Sequence, residues 1–212
     1  NTMNGPNWLN KTNWGTGSNY CNWYGVQCNR IGDVVKLVLN DNNLTGQLNP
    51  KIECLPFLKH LELNQNKMSS TIPQELCQLK NLQYLQADYA GFIGEMPTCV
   101  CDMKHLQHLH MNNNQISGSL PECVANMTYL REMHLYCNRL NGTIPNGFGH
   151  LHYLNELRVN CNENLNCTCD LSQKTNFVFI GGDYQCSNCL ITPANCPTTI
   201  DVPNCGIYVR EL

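Results

Sequence analysis

The chain repeats itself every 24 residues. Val34, Leu58, Leu82, Leu106, Leu130 and Leu154 each stand 24 residues apart, with no insertion or deletion between them. Within each unit apolar residues recur at positions one, four and six, as in Leu58, Leu61 and Leu63 or Leu106, Leu109 and Met111. Asparagine recurs at position nine, as Asn42, Asn66, Asn114, Asn138 and Asn162. A turn of glycine, any residue, an apolar residue and proline follows, as in Gly94-Glu95-Met96-Pro97, Gly118-Ser119-Leu120-Pro121 and Gly142-Thr143-Ile144-Pro145. A register held over so many units admits few folds. The alternating apolar residues make a short strand whose inner face one unit cannot bury alone, so the units must stack.

Stacking predicts an α/β solenoid. A parallel sheet with rungs ~4.8 Å apart lines the concave face, and the convex side is irregular or 3-10 helical. The returning stretch from Gln74 to Lys80 then turns Leu76 and Leu79 inward. The recurrent asparagine bonds backbone groups where the chain bends, glycine permits a positive-φ turn, and proline ends it by removing a donor. Residues 1–33 read as an N-terminal cap, 34–165 as six repeats with the last truncated, and 166–212 as a cysteine-rich C-terminal cap.

This pattern resembles the leucine-rich repeat in its 24-residue plant-type form, over roughly residues 19 to 165. Cys21-Asn22-Trp23-Tyr24-Gly25-Val26-Gln27-Cys28 is similar to the N-terminal cap of plant receptor-kinase ectodomains and polygalacturonase inhibitors. The resemblance implies that Cys21 pairs with Cys28 and that Trp23 seals the first rung. It also implies a protein that is not an enzyme and that binds a protein, peptide or glycan at the cell surface. Two stretches depart from the plant pattern. The tail from Cys167 to Cys205 is unlike the short plant C-terminal cap, and the third unit carries Ala90 and Ala87 in place of the ladder asparagine and the inner leucine.

The 212 residues include 15 cysteines, which points to an oxidising compartment and leaves one cysteine over. Sequons at Asn10, Asn43, Asn126, Asn141 and Asn166 agree with a secreted glycoprotein, as does a chain that starts at Asn1 with no leader, so N-linked glycans are expected. A net charge of −3 provides no basic field for nucleic acid, and no apolar run reaches the ~20 residues of a membrane span. Repeat numbering suggests bridges between like positions one rung apart: Cys99 with Cys123 and Cys137 with Cys161. Cys77 can bridge only one of Cys54 and Cys101, which makes the other the free or inter-chain thiol. Cys167, Cys169, Cys186, Cys189, Cys196 and Cys205 allow 15 pairings, and a four-thiolate zinc site at Cys167, Cys169, Cys186 and Cys189 is the competing reading. The oxidising context favours disulfides there.

Strand positions three, five, seven and eight point out onto the concave face. Its candidate contacts are His60, Glu62, Tyr84, Gln86, Asp88, Tyr89, His108, His110, Asn112, Glu132, His134 and Tyr136. Tyrosine joins a large contact area to a polar tip, which suits an interface or a sugar platform. His108, His110 and His134 invite a metal, but solvated histidines are commoner and no metal is retained in the reading. Glu132 and Glu156 share a column as paired carboxylates would, yet an open sheet encloses no pocket. Neither a catalytic serine order nor a phosphate loop nor a dinucleotide fingerprint is present, so no enzyme activity and no cofactor is expected. Two functions follow: a secreted recognition module binding through the concave sheet, and a glycosylated structural subunit of a matrix, wall or head-to-tail fibre. In the second, the tail segment Phe177-Val178-Phe179-Ile180 either caps its own solenoid or pairs with a neighbour's edge, with an odd cysteine to lock the contact.

Overall fold

The structure is a computed structural model in which residues 3, 5–162, 164–166 and 178–180 are described. Each unit supplies one strand to a concave sheet. These are β2 (Val34–Val38), β3 (His60–Glu62), β4 (Tyr84–Gln86), β6 (His108–His110), β8 (Glu132–His134) and β10 (Glu156–Arg158). At one end β1 (Val26–Cys28) joins antiparallel to β2; at the other β12 (Val178–Ile180) joins parallel to β10, giving eight strands in all. From β2 to β10 the pairing is in phase, as in Leu61 with Leu85 and Leu85 with Leu109, so like positions of successive units are neighbours. The edge of β10 is therefore covered by a segment of its own chain, which is the self-capping reading of the tail.

Apolar positions one, four and six fill the interior: Leu58, Leu61, Leu82, Leu106, Leu109, Leu130, Met133 and Leu157 are all buried. On the convex side 3-10 turns recur at Pro50–Cys54, Gln74–Gln78, Thr98–Asp102, Glu122–Asn126 and Asn146–His150. A second parallel sheet, formed by β5 (Ile93–Glu95), β7 (Gln115–Ser119), β9 (Arg139–Thr143) and β11 (Asn164–Asn166), adds to the expected fold. Its origin is the constant period. Every backbone segment lies beside the corresponding stretch one unit on, so any part left extended can pair with it, here shifted out of phase as in Gly94 with Ile116 and Gly118 with Leu140.

Two polar ladders hold the bend that follows each concave strand. At position nine, Asn66 donates from Nδ2 to the Leu39 and Leu63 carbonyls at 2.9 and 2.8 Å, while its Oδ1 accepts from the Leu44 amide at 2.9 Å. Asn114, Asn138 and Asn162 repeat the arrangement. At position seven, the side-chain oxygens of Asn40, Asn64, Asp88 and Asn112 accept from the backbone N–H of the same position in the next unit, at 2.8, 2.8, 2.7 and 3.2 Å. Position eight between them is left-handed in every unit: Asp41, Gln65, Tyr89, Asn113, Cys137 and Cys161 have φ between 46° and 56°. The expected glycine turn is there too, with φ of 76°, 76° and 75° at Gly94, Gly118 and Gly142.

The irregular third unit has a physical account. With no side chain to bond the bend, the Ala90 carbonyl takes the Met68 amide directly at 2.8 Å. That draws the next residue against the neighbouring backbone, and a Cβ on Gly91 would stand 2.4 Å from the Met68 carbonyl oxygen. The alanine and the glycine are one substitution in two residues.

The expected disulfide register is corrected. Cys21 is bonded to Cys28, but Cys99 is bonded to Cys77 and Cys123 to Cys101, with Cα atoms 5.7 Å apart in both of the latter. A 3-10 turn advances ~120° per residue, so positions eighteen and twenty of one turn face opposite neighbours. Position eighteen faces back: the Sγ of Cys99 lies 3.8 Å from the Gln74 carbonyl oxygen and that of Cys123 lies 3.6 Å from the Thr98 carbonyl oxygen. Cys77 thus takes neither of the partners expected for it: Cys101 is bonded to Cys123, and Cys54 is exposed and free. Cys137 and Cys161 do not bridge each other; Cys161 is held in another disulfide. The six tail cysteines lie outside the described residues.

In the cap it is Trp8 that is buried against the core, with Trp14 edge-on to it at 4.9 Å, and Trp23 follows on Trp14 at 4.6 Å. The sealing role implied for Trp23 thus belongs first to Trp8.

Replacing Asn138 by Ala leaves the buried Ile116 amide without its partner and takes one of two donors from each of the Met111 and Leu135 carbonyls, which keep Asn114 and Asn162. One buried orphan and two lost hydrogen bonds cost roughly 2 kcal/mol or more in total, so denaturant unfolding should show a lowered midpoint. A loss below about 1 kcal/mol would mean that the ladder is not what holds the bend.

Candidate binding face on the concave sheet

Because the strands run in phase, side chains two residues apart form columns that cross the whole sheet. Position three reads Lys36, His60, Tyr84, His108, Glu132 and Glu156; position five reads Val38, Glu62, Gln86, His110, His134 and Arg158. In the first column the rings of His60 and Tyr84 stack at 4.3 Å and those of Tyr84 and His108 at 4.2 Å, nearly parallel in both cases. In the second, His110 stacks on His134 at 4.1 Å. The columns meet edge-on between His108 and His110, whose centroids are 6.1 Å apart. A sheet rung is close to the thickness of two stacked rings, so flat side chains at like positions stack with their rotamers fixed.

Charged groups knit the columns diagonally. Lys36 Nζ donates to Glu62 Oε1 at 2.6 Å, and Asn40 donates to Glu62 Oε2 at 3.0 Å. Glu132 Oε2 lies 3.0 Å from His108 Nδ1 and 3.1 Å from His110 Nε2. Glu156 is paired with Arg158, and its Oε1 lies 3.3 Å from His134 Nε2. That last contact lacks hydrogen-bond geometry, so His134 Nε2 remains buried without a hydrogen-bond partner. The two carboxylates of the position-three column are thus each held by imidazoles or a guanidinium. Arg131 lies instead over the Tyr153 ring at 5.8 Å.

The electrostatics follow from this half-buried packing. Burial holds the His110 imidazole below its ordinary value, against the pull of Glu132 and Asp88. Burial, with the charges of His110 and Arg158, takes His134 down to about 3. His60 is lowered by burial and then by Lys36. For Glu132, burial pushes the carboxyl up but is outweighed by the His108 hydrogen bond and the neighbouring imidazoles, and the result is lowered. Glu62 is lowered in the same way, with burial overcome by Lys36 and Asn40. Burial raises Asp88, and it raises the Tyr136 phenol with help from Asp88 and Tyr89.

The candidate residues divide into two groups. His60, Glu62, Tyr84, Gln86, His108, His110, Glu132 and His134 meet in one band across the sheet, and Tyr89 stands 57% exposed beside it. Asn112 is a correction: it is 2% exposed, and its Oδ1 serves the position-seven ladder rather than the surface. Asp88 is committed to the same ladder. Among the sequons, Asn126 and Asn141 are exposed, Asn43 donates to the Asn7 carbonyl at 3.1 Å, and Asn10 Oδ1 accepts from the Thr12 hydroxyl at 2.8 Å. Asn141 and Asn166 lie on β9 and β11, so none of the five is on the concave sheet.

Sequence reasoning passed over two features. An outer row at position twenty-four sets His105, Tyr129 and Tyr153 at 6.2 and 6.3 Å; its signal was the 24-residue spacing itself. A cavity of about 640 Å³ under the cap is lined by Trp14, Trp23, Leu37, Ile52 and Phe57 among others, and no sequence pattern announces it.

Acid destabilises the concave face. Unfolded His134 titrates near 6.5 and folded His134 near 3, so between those values the unfolded chain binds more protons and acid destabilises the fold. The lowering of His110 acts the same way, and the depressed Glu62 and Glu132 lose their contribution as pH falls through the carboxylate range. Raised Asp88 works in the opposite sense. The melting temperature should therefore fall from pH 7 to pH 5, and by less in His134→Gln. Equal slopes in both proteins, read by circular dichroism at fixed ionic strength, would count against this assignment.

Among the described residues no helix is long and apolar enough to cross a membrane. Residues 30–178 match the family model described as a leucine-rich repeat region. No curated protein matches the chain. Among solved structures it is similar to the plant peptide hormone receptor RGFR1 in complex with RGF2, at 30% identity and TM-score 0.70, over 78% of this chain and 26% of that one. It is similar to PEPR1 in its structure with AtPEP1, at 26% identity and TM-score 0.66, over 77% of this chain and 27% of that one. It also resembles the ectodomain of the receptor kinase SOBIR1 from Arabidopsis thaliana, at 27% identity and TM-score 0.64, over 68% and 83% of the two chains. The chain spans about a quarter of the length of the first two receptors, 26% and 27%. With its period, two parallel sheets and asparagine ladder, the chain belongs to the leucine-rich repeat family.

Proposed function

We propose that the protein is an extracellular, non-enzymatic recognition module that binds a peptide or protein partner along the concave sheet. The observation that carries this reading is the stacked band from His60 through Tyr84 to His108 with Tyr89 exposed beside it. Rings already locked by their neighbours lose little rotamer freedom on binding, and tyrosine gives large contact area for that small cost. A plant peptide hormone receptor, RGFR1 in complex with RGF2, is among the similar structures, as is PEPR1 with AtPEP1. Disulfides and exposed sequons at Asn126 and Asn141 support secretion with N-linked glycans held away from the sheet.

A peptide-display library selected on the disulfide-intact protein tests the reading. Selected peptides should bind Tyr84→Ala,Tyr89→Ala at least about tenfold more weakly, as expected when hot-spot aromatics are removed. Peptides that bind the variant as well as the parent would move the site off the concave sheet. The melting temperature of the variant, close to the parent's, serves as the control for folding.

A further inference from the structure

We propose that His108, His110 and Glu132 form a binding site for one divalent transition-metal ion, with zinc the best match. His108 Nδ1, His110 Nε2 and a Glu132 carboxylate oxygen all lie within 4.8 Å of one another. Among the described residues this is the one group of three such donors. The two nitrogens stand 3.0 and 3.1 Å from the same carboxylate oxygen. Ligands held ~2.0–2.1 Å from a tetrahedral zinc stand about 3.3 Å from each other, so the donors need only small displacements to close on the ion. Two imidazoles and one carboxylate are also a donor set that zinc favours over calcium or magnesium, whose sites are built from oxygen.

The rings are positioned before any ion arrives. His108 is held by its stack on Tyr84, and His110 by its stack on His134. Backbone pairing fixes the strands from which all three ligands project, β6 and β8. Sites on rigid elements with locked rotamers pay little ordering entropy for each bond formed. The remaining nitrogen of His110 faces the Gln86 side-chain amide at 3.4 Å. An amide turned over places its oxygen there, where it accepts the Nδ1–H and orients the ring, as outer partners of zinc-bound imidazoles do. Three protein ligands leave one position of a tetrahedral ion open to the groove of the concave sheet, which is the pattern of exchangeable sites rather than closed structural ones.

The competing account is that Glu132 merely accepts two imidazole N–H bonds. Both accounts use the same atoms, so metal binding itself must decide. Purified disulfide-intact protein, stripped with chelator, is titrated with zinc chloride by calorimetry and with cobalt chloride by visible absorption. One ion per chain should bind, with a dissociation constant well below about 100 μM, and the cobalt bands should lack thiolate charge transfer. His110→Asn and Glu132→Gln should each weaken zinc by at least about tenfold, whereas His105→Asn, in the outer row, should leave it unchanged. The Gln variant preserves shape and one acceptor, so it reports on the ligand even where the His variant disturbs folding. No zinc uptake at roughly 100 μM, uptake that Glu132→Gln leaves unaltered, or cobalt spectra dominated by thiolate would each overturn the site. The titration requires no partner, so its outcome is separate from that of the peptide selection.

Discussion

The structure depends on the bend after each concave strand. There the chain leaves one sheet before it has entered another, and its amides and carbonyls are sealed from water by the units on either side. Unpaired, each would cost ~1–3 kcal/mol. A single asparagine side chain carries both a donor group and an acceptor, and at position nine it serves two carbonyls and an amide at once. The shorter ladder at position seven repeats the principle with oxygen alone, accepting one amide per rung. Together they fix the distance between successive units, and that distance in turn stacks the rings of the concave face. The stacked concave face is thus a downstream product of the bend.

Much of this was legible in the residues because the period transfers knowledge from one unit to all. Once Leu61 is placed inward, Leu85, Leu109 and Leu157 follow, and the outward columns follow with them. The band from His60 to His134 was readable for that reason. What the period does not encode is direction within a turn. Cys99 and Cys123 share a position and lie one unit apart, yet the 3-10 geometry aims both backward, so each finds a cysteine two residues along in the unit before. Nor does it separate an outward side chain from one bent over its own backbone, which is why Asn112 read as surface and is buried. The second sheet was hidden for a third cause: its strands have no apolar alternation and pair only because stacking brings extended segments of successive units side by side.

The local exceptions carry more information than the repeats. Ala90 and Gly91 show that the ladder can be replaced by a direct backbone bond, provided that the neighbouring residue has no side chain. Left-handed backbone at position eight is tolerated by Tyr89 and Cys137, residues poorly suited to it, because bonds on either side over-determine the chain there: the position-seven ladder before it, and after it Asn138 or, at Ala90, the direct backbone bond. In both cases the geometry imposed by stacking overrides the preference of the residue.

The offset disulfides have a consequence for the centre of the face. Cys77–Cys99 closes a loop that contains β4 with Tyr84 and Tyr89, and Cys101–Cys123 closes the next, which contains β6 with His108 and His110. Each of the two central strands is therefore enclosed in its own covalent ring. A protease that cut the chain within either strand would release no fragment, and the severed ends would stay beside the neighbouring strands that template them. A chain nicked in either strand in this way stays in one piece and keeps its shape.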